Sequence, residues 1–292
     1  MNDAYRRRLL APAFTVLATL ATASAIAEPA LWEVSGRDNS VYLFGSVHLL
    51  PEGGFTIGGA LAEALDDAER VCLELDPDAE DDAEKTSLTL ARAIDPEGRS
   101  LFDLLGPDAD RVRESAAAAG VDIAPFAAFE PWFAGLTMSL MALQLNGFDV
   151  EHGVEQIIQA EAKKDAKAGC GLETLDGQLG VLDSLPAELQ KELLLQSIEE
   201  ASDVNAVIEP LLAAWRDGDE QGLEKRLEED FEEYPELAEA LIFERNKNWA
   251  VQVSEMLEGD DDVLLVVGAM HLVGERGLPA LLEKRGYHVE RR

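Results

Sequence analysis

The sequence predicts a mixed α/β fold in which a small sheet, made by both ends of the chain, carries a long helical middle. Three observations predict it. Short apolar runs bounded by turn residues crowd the two ends. Residues 187–257 keep a helical pattern almost throughout, with breaks such as Gly218 and Pro235. Residues 41–54 and 264–277 read as copies of one another: each is an apolar strand, then Gly-x-x-His, then a Gly-punctuated loop.

In order, residues 31–34 and 40–44 read as two strands of a hairpin turned at Gly36-Arg37-Asp38-Asn39. Residues 57–69 have an amphipathic helical pattern, and residues 70–75 a strand that ends in Glu74. Residues 79–93 form a helix whose acidic start suits the positive end of its dipole. Residues 108–119 form another, stopped by Gly120. Residues 125–145 are the most apolar helix after the leader. Glu130, Pro131 and Gln144 argue against a membrane span and for a buried core helix. A helix over 155–167 and a strand over 168–173, ending in Glu173, precede the helical middle. An acidic turn at 259–262, a strand at 263–267, a helix at 276–285 and a strand at 287–291 complete a single domain over residues 28–292. No stretch reads as a linker, and no multi-copy repeat is present.

Residues 1–27 read as a signal peptide. Arg6, Arg7 and Arg8 precede a short apolar core and a small-residue cleavage region ending at Ala27. The expected mature protein is periplasmic or secreted, with no stable membrane insertion after leader removal; a retained anchor is the alternative. The chain carries 58 acidic against 24 basic residues, a net charge of −34. Such a surface disfavours nucleic acid and anionic lipid as partners. A solvated, salt-adapted surface explains the acid excess better than a substrate does. The two cysteines, Cys72 and Cys170, lie in short apolar segments that each end in Leu-Glu. They are either small buried hydrophobes or, in an oxidising compartment, a disulfide.

Four strand-end residues have the chemistry of a site: His48, Glu74, Glu173 and His271. A Gly lets backbones approach closely at a strand end, and open α/β sheets place ligands at the carboxyl ends of strands. If the two Gly-x-x-His strands are neighbours, both imidazoles face one pocket. Two imidazoles with one or two carboxylates suit zinc, manganese or cobalt, and a spare carboxylate suits a general base. Each glutamate taken alone is also explained by the acidity of the chain. Arg245, in Glu244-Arg245-Asn246-x-x-Trp249, is either a surface ion pair or a partner for a site carboxylate or substrate carbonyl. Glu155 opens a helix, where it caps the helix or points into the cleft. His152 and His288 read as surface residues. No HExxH, nucleophile elbow, P-loop or dinucleotide fingerprint is present, and neither Cys reads as activated.

The ordered set Tyr42-Leu-Phe-Gly-Ser-Val-His48, Leu73-Glu-Leu-Asp76, Gly153-Val-Glu155, Gly171-Leu-Glu-Thr174, Gln178, Asp183-Ser-Leu-Pro186, Glu244-Arg-Asn246 and Gly268-Ala-Met-His271 resembles the TraB/GumN family, which includes the Tiki proteins of animals. The resemblance spans nearly all of the chain after the leader. It implies a mixed α/β fold shared with erythromycin-esterase-like proteins. It also implies a Tiki-like protease dependent on manganese or cobalt and acting on a peptide or protein. By the same resemblance His48 and His271 hold the metal, with a Glu (Glu74 or Glu173) and Arg245 also required. Two departures are Glu155 where Asp is common and Glu130-Pro-Trp where Lys-Pro-Trp is usual.

The expectation is therefore an exported metal-dependent hydrolase. His48, His271 and Glu74 are assigned to the metal, Glu173 as general base or ligand, and Arg245 to substrate or oxyanion. The alternatives are a non-catalytic protein that binds a metal, haem or small ligand, and an accessory factor of envelope polysaccharide production.

Overall fold

The computed structural model describes residues 28–292, so the expected signal peptide lies outside the described residues. Six strands form one sheet in the order β4-β3-β5-β2-β1-β6. They are β1 Leu31–Ser35, β2 Ser40–Ser46, β3 Arg70–Leu75, β4 Ala168–Glu173, β5 Val263–Gly268 and β6 His288–Arg291. β1 and β2 pair antiparallel, as the hairpin reading expects, and β6 pairs antiparallel with β1. β2, β5, β3 and β4 run parallel. Both ends of the chain thus share the sheet, and four carboxyl-terminal strand ends open on one edge, where ligand crevices of α/β sheets lie.

The sheet is covered on both faces. On β5, Leu264 and Val266 face one apolar cluster with Tyr42 and Phe44, while Val263, Leu265 and Val267 face the other with Val41 and Leu43. A parallel strand buried on both faces needs such a continuous apolar run. The helices Leu101–Leu105, Ala109–Ala119, Pro131–Leu145 and Ala187–Glu200 build a third cluster of their own around Val112, Met138, Leu194 and Ile198.

Four expectations need correction here. The apolar run over 125–145 is not one helix. A 3-10 turn, Ala124–Phe126, precedes a helix that starts at Pro131. Glu130 is extended (φ −68°, ψ 155°), because a residue before proline avoids the helical region, while proline itself fits the first helical position. Nor is that helix buried along its length: Trp132, Ala134 and Met138 are, but Met141 and Leu145 are exposed. The helix Leu175–Asp183 was also not anticipated. Gly177 and Gly180 weaken its pattern, yet Thr174 caps it by accepting the Gly177 N–H. His152 is half-buried rather than superficial, and its Nδ1 has no hydrogen-bond partner.

Cys72 and Cys170 stand opposite each other in the β3–β4 ladder, with Cα atoms 4.5 Å apart, and form a disulfide. It ties edge strand β4 to β3 two residues before Glu74 and three before Glu173.

Candidate functional site

The strand ends bring His48, Glu74, Glu173, Arg245 and His271 into one constellation. β2 and β5 are parallel neighbours, as the paired motifs require, but their motifs are offset by one residue: Gly45 pairs with Val267, and Ser46 with Gly268. That offset separates the two histidines. His271 lies in the 3-10 turn Ala269–Leu272 and is buried; His48 follows the end of β2 on the floor of an open cleft, its side chain 59% exposed.

Both motif glycines answer to close approach. A Cβ on Gly45 would come within 3.1 Å of the Ala269 Cα, so the bare backbone lets the second motif pack on the first. A Cβ on Gly268 would come within 3.3 Å of Glu74 Oε1, 3.5 Å of His271 Cδ2 and 3.9 Å of His48 Nε2. Glu74 and both imidazoles therefore border the same small space. The Trp215 indole N–H donates to the Gly45 carbonyl (2.8 Å) and pins the helix Val204–Arg216 against this strand end.

Each imidazole is held through Nδ1. His271 Nδ1 lies 2.7 Å from Asn246 Oδ1. The Asn246 Nδ2 group donates to the backbone carbonyls of His271 (3.1 Å) and Arg276 (3.0 Å). The amide orientation is thereby fixed, so Oδ1 accepts and the His271 proton sits on Nδ1. His271 Nε2 is left as a lone pair, 3.3 Å from Arg245 Nη1 and 3.9 Å from Glu74 Oε1. His48 Nδ1 lies 2.6 Å from Glu155 Oε1, which also accepts from Ser46 Oγ at 2.5 Å. Its Nε2 borders Gly268.

The carboxylates differ in how fully they are engaged. Glu173 accepts from Arg245 Nε (3.0 and 3.1 Å), Arg245 Nη2 (2.9 Å) and the Trp249 indole N–H (3.0 Å). Glu74 Oε2 accepts from Arg245 Nη2 (2.6 Å) and Gln178 Nε2 (3.1 Å), while Oε1 accepts the Gly268 N–H (2.8 Å). Arg245 also donates to the Leu241 carbonyl at 3.0 Å. That carbonyl lies in a π-helical turn, Glu239–Phe243, a distortion common at functional sites. Trp249 is fully buried behind the cluster, its ring centroid 4.4 Å from that of His271.

The electrostatics follow from these neighbours. The Glu155 carboxylate raises His48 to about 9, against the opposing effects of partial desolvation by the cleft walls and of the Arg245 cation. Burial pushes His271 down to about 3, so it is neutral at physiological pH. Burial raises Glu74, but His271, Arg245 and His48, with the Gly268 N–H, outweigh it and hold the carboxyl at about 2. Because His271 is neutral well above pH 3, Arg245 and the protonated His48, with the Gly268 N–H, sustain the Glu74 carboxylate at neutral pH. Glu155 is likewise raised by burial and lowered on balance by His48 and Ser46.

A family model for TraB/PrgY/gumN proteins matches residues 30–291. The chain belongs to the TraB/PrgY/gumN family. No curated protein and no solved structure matches it. For this family member, all five residues singled out in the sequence meet at one strand edge. Ser46 and Gln178 stand in the motifs of the resemblance without a role, and Asn246 and Glu155 beside the chosen residues; their contacts to Glu155, Glu74, His271 and His48 give each of them one.

Among the described residues, no group of three or more His, Cys, Asp and Glu side chains lies close enough together to hold an ion. No helix among them is long and apolar enough to cross a membrane.

Proposed function

We propose that this protein is an exported metal-dependent hydrolase that cleaves a peptide or protein substrate. One observation carries the reading: two imidazoles held through Nδ1 by separate partners, Glu155 and Asn246, with His271 Nε2 3.9 Å from Glu74 Oε1 and His48 Nε2 beside Gly268. Histidines that ligate metals are oriented in this way by acceptors on the far nitrogen. By type the donors suit manganese, cobalt or zinc; as placed they stand too far apart to hold an ion, so binding would draw them together around Gly268. His48 Nε2, His271 Nε2 and Glu74 Oε1 would hold the ion. The Arg245 contact to His271 Nε2 is long at 3.3 Å, and the guanidinium keeps its bonds to Glu173, Glu74 and Leu241 without it. Once bound, the ion supplies Lewis acidity, polarising a carbonyl and acidifying water.

The remaining residues have separable tasks. Arg245, fixed on one edge by Glu173, presents a charge-assisted donor beside His271, suited to a carbonyl oxygen that gains negative charge. Glu173 has both oxygens committed to Arg245 and Trp249. Its task in this reading is to hold the guanidinium, in place of the general-base or ligand role first expected of it. Spare acceptor capacity lies at Glu74 Oε1, which has the Gly268 N–H as its donor.

The test is elemental mass spectrometry of the protein purified without chelator, for wild type and the His48→Ala/His271→Ala variant, followed by peptide turnover with each metal. Stoichiometric manganese, cobalt or zinc that is lost in a folded variant, with turnover abolished by chelator and restored by one metal, is the expected result. Absence of metal after incubation with divalent ions sinks the mechanism. Stoichiometric metal with no turnover of any peptide turns the reading toward the binding-protein alternative.

A further inference from the structure

We infer that the cleft beside His48 and Glu74 is a substrate groove that selects a segment pairing an apolar side chain with a neighbouring Lys or Arg. The inference rests on the hydrolase reading and adds the substrate class to it. The cleft has a volume of about 600 Å³, within the range that encloses an organic ligand and far beyond the needs of a lone ion. Its inner end is made by His48, Glu74 and Gln178, the groups of the constellation itself. Its walls are apolar, from Leu73 and Leu75 on β3 to Leu140, Val150 and Leu175 opposite.

Beyond β3 the lining changes character. Asp76 and Glu80 stand on the loop that leaves the strand, and neither is joined to a cation among the described residues. Lys85 lines the same end, but its Nζ donates to the Pro77 carbonyl at 2.6 Å, and Lys163 pairs with Asp78 at 2.9 Å. Both contacts fasten the loop and leave the two carboxylates unmatched. The loop's entry is also fixed in place. A Cβ on Gly171 would fall 2.2 Å from the Asp76 backbone nitrogen, so β4 and the loop can meet this closely because residue 171 is glycine. The disulfide holds the same two strands together. An apolar channel that leads from the constellation to two carboxylates, which outnumber the one ammonium of Lys85 beside them, complements an apolar residue followed by a cationic one, and rejects acidic residues there.

The whole molecule is acidic, so a local preference must be separated from its general field. At 0.15 M ionic strength, charges farther than about 8 Å are largely screened, which makes the comparison possible. Three fluorescent peptides of equal length are titrated by anisotropy at that salt: one with an apolar residue beside Lys-Arg, one with Glu-Glu in place of Lys-Arg, and one with Ser in place of the apolar residue. The expected result is that the first binds at least about tenfold more tightly than either other. Asp76→Asn/Glu80→Gln is expected to weaken it by about tenfold, while Glu258→Gln/Asp260→Asn on the distant acidic turn does not. Asp76→Asn keeps the acceptor for the Asp78 N–H, so the loop retains its turn.

Equal affinity for the three peptides, no binding of any, or an equal loss in the distant variant overturns the inference. Metal-dependent cleavage of all three peptides at similar kcat/KM overturns it while leaving the hydrolase reading in place. The expected binding preference without turnover under any metal has the opposite meaning: the groove stands and the hydrolase reading fails.

Discussion

Asn246→Ala is the most informative single perturbation of the site. Asn246 is fully buried and makes three hydrogen bonds: it accepts from His271 Nδ1 and donates to the carbonyls of His271 and Arg276. Truncation leaves an imidazole N–H and two carbonyls without these partners. At about 1 kcal/mol net per bond, the expected loss is about 3 kcal/mol, or about 6–9 °C in Tm for a domain of this size. The assay is urea and thermal unfolding, together with 15N shifts of the His271 ring. Wild type is expected to carry the proton on Nδ1; Asn246→Ala is expected to lose that tautomer's dominance. Asn246→Asp separates the two effects. Its carboxylate still accepts from Nδ1, so the Nδ1 proton is kept, but it faces two carbonyl oxygens, so stability falls at least as far as in the alanine variant. An alanine variant within about 0.5 kcal/mol of wild type, with an unchanged Nδ1 proton signal, would refute the assigned hydrogen-bond network.

Three further outcomes are expected. Replacing both Cys72 and Cys170 by Ser opens a link that spans 98 residues; the chain-entropy model puts the loss at about 4.7 kcal/mol, and an unchanged urea midpoint would count against the bond. Arg245→Ala leaves Glu74 and Glu173 buried without their shared cation, at a cost of about 3–5 kcal/mol; Arg245→Lys recovers less than half of it, because an ammonium cannot reproduce the forked contacts, and full recovery would argue for simple charge. In chelator, acid weakens the fold in two steps: His271 is held at about 3 against 6.5 unfolded, so the unfolded chain binds the proton first and stability falls as pH drops below 6.5, and Glu74, held at about 2 against 4.5, adds a loss as pH falls from 4.5 toward 2. At the basic end His48, raised to about 9 by Glu155, contributes stability that is full below 6.5 and lost as pH rises through 9; Glu155→Gln should remove that limb in a pH series of urea midpoints, and its persistence would contradict the pairing.

Sheet and site were legible in the sequence to different degrees. β2, β3, β4 and β5 were recognisable because strands buried on both faces, or ending at an ionisable group, leave apolar runs with sharp ends. For β2 and β5 the repeated Gly-x-x-His raises adjacency as a condition, since a shared Gly and His at one strand end make sense when two strands meet there; the pairing of β3 and β4 has no such signal. What a period-2 pattern cannot carry is register. The one-residue offset between β2 and β5 decides which histidine is buried and which lies open to the cleft, and nothing in either motif alone encodes it. The disulfide was undecidable for the same reason: an in-register Cys pair depends on β3 and β4 being neighbours, 98 residues apart. The helix Leu175–Asp183 and the split at Pro131 are local failures: Gly177 and Gly180 lie inside that helix and weaken its pattern, and Pro131 opens a helix instead of standing within one.

The partners of the two histidines show why a repeated motif need not build a symmetric site. The Gly-x-x-His copies place two imidazoles at adjacent strand ends, but the chain supplies a carboxylate to one and a carboxamide to the other. Glu155 can stabilise a proton on His48, and it makes that ring the more basic of the two. Asn246 has no charge to offer, its own N–H groups are committed to backbone carbonyls, and burial keeps His271 neutral with its lone pair facing Arg245 and Glu74. The guanidinium beside that lone pair reinforces the neutral state, because a second cation there would be repelled. Exchanging the two partners, by Glu155→Gln together with Asn246→Asp, should therefore move the readily protonated ring from His48 to His271. Ring 15N titrations of both histidines in the metal-free protein measure this directly. Protonation that stays on His48 would mean that burial and Arg245, rather than the partner chemistry, set the difference.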